Sequence, residues 1–323
     1  VLPLEPMPPG DKYVENIEDV AAVALPSDIQ MCKSCKHMQM SAFTDPDYIY
    51  ETYLSRPATT NSNLKKSYED YARQIAELND CPVVLEVGSN DGLFLEILRH
   101  ERIKAIGIEP AQNLVKHADD RGVSTVCDYV STRAVSEALQ MLKESPNVIL
   151  ANHSFSNVED IQEWASVLTS VLQPGGYLVI QTFYQVDVLR KNLIENYNHE
   201  HLSYCTLQSL SVFFARFGLR LKRAVRLDAK GGSIRCFFQK SSTDLNLDSA
   251  TQQLLEKERD FCNRLTSHFE ATRIYIAKKK QALQNIIANF GPEHSLSAYG
   301  TSIGATVFSY QFGLAQKIEA FFD

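Results

Sequence analysis

The chain lacks any apolar run near the roughly 20 residues that a membrane-spanning helix needs, so no membrane partner is expected. It also lacks a basic surplus: 32 lysines and arginines stand against 39 aspartates and glutamates, for a net charge of −7 and a pI of about 5.7. A general nucleic-acid binder usually presents a basic surface, so nucleic acid is disfavoured as a partner. The opening VLPLEPMPPGDKY has neither a basic start nor an apolar core and does not read as a signal peptide. Internal repeats are missing, as are a second CxxC, the HExxH helix of zinc proteases and the GxGxxG dinucleotide fingerprint. The seven cysteines are odd in number. Cys81, Cys127, Cys205, Cys236 and Cys262 stand alone in apolar or strand-like surroundings, which reads as reduced thiols in a cytoplasmic protein. With 44% hydrophobic and 22% charged residues over 323 positions, the composition is ordinary for a globular chain of two domains and a small third.

What is present is organised around VVLEVGSNDGLFLEIL, Val83 to Leu98. Val83, Val84 and Leu85 suit a central parallel strand buried on both faces. Glu86 follows, Gly88-Ser89-Asn90-Asp91-Gly92 makes a tight turn, and Leu93, Leu95, Ile97 and Leu98 recur at helical spacing. A strand, a glycine turn and a helix in succession place a ligand at the carboxyl end of the strand, against a helix N-terminus. An acidic residue ahead of the first glycine repels a pyrophosphate and suits a cationic ligand, such as an amino acid's ammonium group. Further strands are expected at Lys104–Ile108, Ser124–Val126, Asn147–Leu150 and Tyr177–Gln181, with helices at Leu114–Asp120 and Trp164–Leu172. A last antiparallel pair is expected at Leu219–Val225 and Ser233–Gln239. That alternation fits an α/β fold with an open, doubly wound sheet. Glu109, after the second strand, is placed to accept both hydroxyls of a ribose. Asp128, after the third, suits an adenine amino group or is an exposed turn residue.

Outside this frame, residues 1 to about 30 are proline-rich and should run extended against another part of the chain. Cys32 and Cys35 in MCKSCKHMQM make half of a zinc knuckle, with His37 the nearby further ligand; two plain reduced thiols fit equally. Tyr48, Tyr50 and Tyr53, then Leu64, Tyr68, Tyr71 and Ile75, read as core or interface positions. NYNHEHLSY, Asn196 to Tyr204, falls in a loop on the ligand side of the sheet. Its H-x-H pair could bind metal, but the spacing fits no HExxH helix and no third ligand is evident, so a metal is not expected here. A histidine beside a glutamate is a candidate general base, and the alternative is a pair of histidines bonded to loop backbone. Leu245 to Phe290 reads as one long amphipathic helix or a helical pair. LSAYG from Leu296, followed by Thr301-Ser302-Ile303-Gly304, opens a second strand-to-glycine turn, a Rossmann-like unit that is expected to be cut short at Asp323.

The turn at Gly88 to Gly92, with Glu86 before it, resembles motif I of S-adenosylmethionine-dependent methyltransferases. Taken with CKSCKHMQ, ANHSFSNVEDI from Ala151, HEHLSYCT from His199, GGSIR from Gly231 and AYGTSIGAT from Ala298, the chain resembles the nucleotide-sugar C-methyltransferase family over nearly its whole length. The resemblance implies a doubly wound, Rossmann-like methyltransferase sheet over 66–240. An N-terminal zinc-domain remnant would occupy 1–65, and a long helix with a truncated Rossmann-like unit 241–323. It implies zinc on Cys32 and Cys35 as the second pair of a four-cysteine site whose first pair would lie upstream. Gly88, Asn90, Asp91 and Glu109 match positions lining the S-adenosylmethionine pocket, with Asn152 near the methionine end. Glu86, Gly92 and Asp128 join them from the residue-level reading. Glu200 and His201 match the family's Glu-His pair, with the histidine as base. Tyr53, in YETYLS, resembles its active-site tyrosine, and Asn198 and His199 are further candidate donors to the reacting oxygen. Three departures stand out: Asn198 replaces a tyrosine, Asn157 a histidine after the fourth strand, and Lys230 the histidine of an HGGS. The implied activity is C-methylation of a nucleotide-linked ketosugar in deoxysugar biosynthesis. The alternatives are a small-molecule O- or N-methyltransferase and an altered S-adenosylmethionine-binding protein without turnover. The sugar, the carbon and the oligomeric state stay open.

Overall fold

The computed structural model describes residues 1–10, 24–50, 53, 62–291 and 293–323. Residues 11–23 of the expected extended segment, and most of the YETYLS stretch around Tyr53, lie outside the described residues. The first residues do run extended, bridging Leu2 to Ile29 and Met7 to Leu25, and both Leu2 and Met7 are buried. A small antiparallel ribbon follows, β1 (Ile29–Met31) and β2 (Met38–Met40), with the CKSCK turn between them. The helices α1 (Pro46–Tyr50) and α2 (Ser62–Ala76) precede the central sheet.

That sheet begins with β3 (Val83–Val87), followed by α3 (Leu93–His100), β4 (Lys104–Ile108), α4 (Gln112–Asp120) and β5 (Thr125–Val126). The chain then makes α5 (Thr132–Leu142), β6 (Val148–Asn152), α6 (Ile161–Val171), β7 (Tyr177–Phe183) and α7 (Gln185–Lys191). A two-residue strand, β8 (Ser203–Tyr204), joins the β1–β2 ribbon, and α8 (Leu207–Ala215) leads to β9 (Leu219–Leu227) and β10 (Ser233–Lys240). The strand order is β5-β4-β3-β6-β7-β10-β9; β10 is antiparallel to both neighbours and the other pairings are parallel. The order reverses beside β3, which makes the carboxyl end of β3 the switch point where doubly wound sheets take their ligands.

Alternation along the strands feeds two cores. Val84 packs with Val148, Leu150, Val179 and Phe237 beneath α2 and α3. Leu85 and Val87 pack with Ile149, Ala151, Leu178, Ile180 and Phe238 against α5, α6 and α8. Each such side chain contributes about 1.5–3 kcal/mol by leaving water, so a strand apolar on both faces belongs in the middle. Several strands run past their expected ends: β6 reaches Asn152 and β7 reaches Phe183. There the ladder of main-chain bonds continues past the apolar run, through Asn152 and Thr182.

Beyond the sheet, of the two forms expected there, one long helix or a helical pair, the chain takes the pair: α9 (Ser249–Cys262) and α10 (Leu265–Ala288), broken at Asn263-Arg264. The chain ends with β11 (Leu296–Tyr299), α11 (Ile303–Gln311) and β12 (Ile318–Phe322), the two strands parallel. Gln311 on α11 exchanges hydrogen bonds of 2.9 Å with both main-chain groups of Glu5, which ties this unit to the amino-terminal segment. No helix among the described residues is long and apolar enough to cross a membrane.

Candidate active site

The carboxyl end of β3 turns through two left-handed glycines. Gly88 has φ +73°, and a Cβ there would stand 2.5 Å from Ser154 Cβ; Gly92 has φ +74°, with Val123 2.7 Å from its missing Cβ. Any other residue at either position would be strained and crowded. Glu109 clamps the turn from the end of β4: its Oε2 accepts the Asn90 N–H at 2.9 Å and its Oε1 the Ala111 N–H at 3.0 Å. Each carboxylate oxygen keeps a second acceptor site for a ligand. Asp91 is committed to the fold: its carboxylate accepts the Leu93 N–H at the start of α3 and pairs with Arg121, both at 3.2 Å. Asp128 accepts the Tyr129 N–H at 2.8 Å and pairs with exposed Arg133 at 2.6 Å, the geometry of a turn residue.

Glu86 and Asn152 meet across adjacent strands. The Asn152 amide donates to Glu86 Oε1 at 2.8 Å, while Glu86 Oε2 and Asn152 Oδ1 are buried without a partner. Burial pushes the Glu86 carboxyl up to about 8; the Asn152 bond opposes this, and the charges of Glu109 and Asp91 add to it. Two unpaired acceptors, one on a carboxyl that a cation would ionise, fit a ligand bearing positive charge.

On the other side lies the loop between α7 and β8. His201 Nδ1 is 2.9 Å from the Asn196 carbonyl, which can only accept, so Nδ1 carries the proton and Nε2 keeps its lone pair. Asn198 Nδ2 lies 3.2 Å from the same Nδ1 and donates instead to the Glu195 carbonyl at 3.1 Å. Burial lowers the imidazolium pKa to about 4, against the Asn196 bond and helped by the charge of Lys230, so the ring is neutral. It packs on Phe183, with ring centroids 4.5 Å apart. Glu200 Oε2 accepts from the Tyr53 hydroxyl at 3.3 Å, and the Glu200 N–H donates to Asn198 Oδ1 at 3.1 Å. Tyr53 is anchored in turn, its main chain exchanging bonds of 3.3 and 2.9 Å with the Asn113 side chain.

Tyr53, Asn198, Glu200 and His201 are therefore brought together, although Tyr53 and Glu200 are 147 residues apart. His199 is not among them: its ring is buried against the Pro26 carbonyl, 3.3 Å from Nε2. Asn157 donates to the Tyr50 hydroxyl at 2.7 Å. Three residues given no role from the sequence, His153, Gln181 and Phe183, also border the cluster, as does Lys230, noted above as a departure. The ammonium of Lys230 reaches within 5.6 Å of the Phe183 ring centroid, although the residue as a whole is exposed on its turn. A histidine directly after Asn152 at a strand end was the one available signal for His153.

The cysteine pair stands apart. Cys32 is exposed and Cys35 half-buried on the β1–β2 turn, and His37 turns away toward Ser203 Oγ at 3.5 Å. No group of three or more His, Cys, Asp or Glu gathers among the described residues, so the two thiols do not complete a tetrahedral zinc site there. A surface cleft of about 580 Å³, lined by Cys35, His37, Phe155, Phe213 and Arg216 among others, takes in none of the Tyr53–His201 cluster.

A family model described as a methyltransferase domain matches residues 61–223. The C-methyltransferase NovU of Streptomyces niveus is 29% identical over 236 residues, which are 72% of this chain and 56% of that protein. The chain thus spans about half the length of the curated relative it matches. Among solved structures, the CcbJ methyltransferase from Streptomyces caelestis is 15% identical, with 55% of this chain and 90% of that one covered and a TM-score of 0.43. Magnesium protoporphyrin IX methyltransferase from Synechocystis PCC 6803, with bound S-adenosylmethionine, is 11% identical, with 55% and 79% covered and a TM-score of 0.41. With half of its length matched by the family model and the glycine turn at the switch point of the sheet, the chain belongs to the methyltransferase-domain family, whose cofactor is S-adenosylmethionine.

Proposed function

We propose that the chain is the catalytic part of a C-methyltransferase that methylates a nucleotide-linked ketosugar at the carbon beside its ketone. The observation that carries this reading is the meeting of Tyr53, Glu200 and His201, with His201 packed on the same Phe183 as His153, the residue that follows Asn152. Carbon takes a methyl group only as a nucleophile, so the reaction needs a base beside an activated C–H and donors for the oxygen that gains charge. His201, neutral and unprotonated at Nε2, is the base, and the Asn196 carbonyl holds its tautomer. Glu200, tied to Tyr53, supplies the negative charge that favours the imidazolium formed on proton transfer. Asn198 of this loop and Tyr53, from the segment before the sheet, are the nearby donors.

Glu86, Asn152, Glu109 and the Gly88–Gly92 turn would hold S-adenosylmethionine, which supplies, when bound, a methyl group made electrophilic by positive sulfur. Holding both reactants in one geometry accounts for a large share of the acceleration. The β11–α11–β12 unit, with its turn at Gly300 to Gly304, would help hold the nucleotide. Incubation with labelled S-adenosylmethionine and a panel of nucleoside-diphosphate ketosugars, read by mass spectrometry and NMR, tests the reading. A methyl group on carbon supports it. A methyl group on oxygen or nitrogen favours a small-molecule O- or N-methyltransferase, and tight cofactor binding without product favours a protein that binds without turnover.

A further inference from the structure

Arg235 begins a hydrogen-bond relay whose direction follows from the chemistry of its members. Its guanidinium is buried, stacked 3.4 Å from the Tyr71 ring centroid, and donates to Gln74 Oε1 at 3.2 Å and to Gln181 Oε1 at 2.9 Å. Arginine only donates, so the oxygen of Gln181 faces it and the amide nitrogen faces the other way. That nitrogen lies 3.3 Å from His153 Nε2. An amide nitrogen donates, so Nε2 is the acceptor and the neutral ring carries its proton on Nδ1. Burial, and positive charge on Lys230, Arg235 or a protonated His201, all disfavour a second proton.

The resulting Nδ1–H is buried and has no partner. An orphaned donor of this kind costs about 1–3 kcal/mol. His153 also holds a left-handed backbone, φ 57°, which is uncommon outside glycine and accumulates at functional sites. Its ring stands edge-on to Phe183 at 5.1 Å, and His201 packs on the same Phe183 at 4.5 Å. The pleat makes this arrangement: Gln181 and Phe183, two apart on β7, share a face, and Arg235 stands directly opposite Gln181 on β10.

We infer that His153 is a catalytic hydrogen-bond donor whose Nδ1–H meets the ketone oxygen of the acceptor, with Arg235 and Gln181 as positioning residues that lock its tautomer, an inference that rests on the proposed C-methylation. Two neutral histidines of the same tautomer then flank Phe183 and offer opposite ring nitrogens. His201 offers a lone pair to the C–H, and His153 offers an N–H to the oxygen that becomes an enolate. The proton leaving carbon goes to His201 Nε2; the proton on His153 Nδ1 stays where it is.

Two measurements test this. Nitrogen-15 NMR of the histidine-labelled ligand-free chain, with His153→Asn for assignment, should show His153 neutral and protonated at Nδ1 near pH 7. A ring protonated at Nε2, or at both nitrogens, overturns the inference whatever the substrate. The second measurement is solvent-deuterium wash-in at the acceptor carbon, with the panel ketosugars and S-adenosylhomocysteine, in the unaltered protein and in His153→Ala, His153→Asn and Gln181→Leu. His153→Ala should lose about 10²–10³ in rate, the usual loss of one such donor. His153→Asn, which places an amide N–H near the Nδ1 position, should restore the rate to within about tenfold. Gln181→Leu, which frees the tautomer, should fall between them while calorimetric S-adenosylmethionine affinity stays level in all. Wash-in unchanged in His153→Ala, no rescue by Asn, or a loss confined to cofactor affinity overturns the donor role alone. Absence of wash-in and of C-methyl product in the unaltered protein instead removes the C-methylation reading, and the ketone role of His153 with it.

Discussion

The proposed cofactor end and the proposed acceptor end of this site are built in different ways. At the cofactor end a strand, a glycine turn and a helix follow one another directly, and the clamp from Glu109 comes from only 19 residues away. At the proposed acceptor end each side chain arrives from a different segment: Tyr53 before the sheet, His153 after β6, Gln181 on β7, His201 in the loop between α7 and β8, and Arg235 on β10. The first kind of site depends on local backbone conformation, the second on packing across the whole sheet. Cofactor binding and acceptor chemistry should therefore be separable by mutation. The three departures from the pattern that the sequence resembles, Asn157, Asn198 and Lys230, all fall on the proposed acceptor side.

The largest expected effect breaks the acceptor end alone. His201→Ala should cost about 10²–10⁴ in turnover, the range of a lost general base, and abolish wash-in, with S-adenosylmethionine binding by calorimetry unchanged. Unchanged wash-in would remove its role as base. The matching lesion at the cofactor end is Gly88→Val. Its positive φ and the close approach of Ser154 should destabilise the fold by about 2–5 kcal/mol in chemical denaturation. Gly218→Ala, at φ +72° but with open space around it, should cost only the conformational part and serves as the control.

A smaller effect tests the Glu86 carboxyl. Its folded value of about 8 lies above the ordinary 4.5, so the folded protein holds an extra proton between those limits. The stability this adds is complete below the unfolded value and is lost as the pH rises toward 8, at no more than about 1.4 kcal/mol per pH unit. Burial raises Glu109 and Glu258 in the same direction, so the informative quantity is the difference between proteins. Glu86→Gln should flatten the slope of the unfolding midpoint between pH 5 and 8, and saturating S-adenosylmethionine should flatten it in the unaltered chain. An identical slope in Glu86→Gln would exclude the carboxyl.

Tyr53→Phe removes the hydroxyl that holds Glu200, and turnover should fall about tenfold, the effect of one hydrogen bond to a charged group. The smallest effect is expected for Arg133→Ala. Its pair with Asp128 is solvent-exposed, so stability should change by less than about 0.5 kcal/mol and cofactor affinity hardly at all. A large loss of affinity there would place Asp128 in the pocket rather than on the turn.

Much of the frame was legible from residue order. The strands of the sheet, the glycine turn and the position of Glu109 follow from apolar runs and turn residues read a few positions at a time. The break at Asn263-Arg264 was harder, because the apolar pattern continues on both sides of it. The commitments of individual polar groups were not legible. Asp91 is used by Arg121, 30 residues on, and His199 by Pro26, 173 residues back. Both looked from the sequence like ligand or substrate contacts, because a side chain's partner depends on which segment folds against it.

By itself the sequence determined that a doubly wound sheet forms, with a glycine turn at Gly88 to Gly92, since burial of strand faces and left-handed glycine turns are properties of short stretches. Only the tertiary structure decided which nitrogen carries the proton on His153 and His201. A tautomer is set by the atom across the hydrogen bond: the Asn196 carbonyl for one ring, and Arg235 acting through Gln181 for the other. Arg235 stands 54 residues from the glutamine it orients, and no local pattern could pair them.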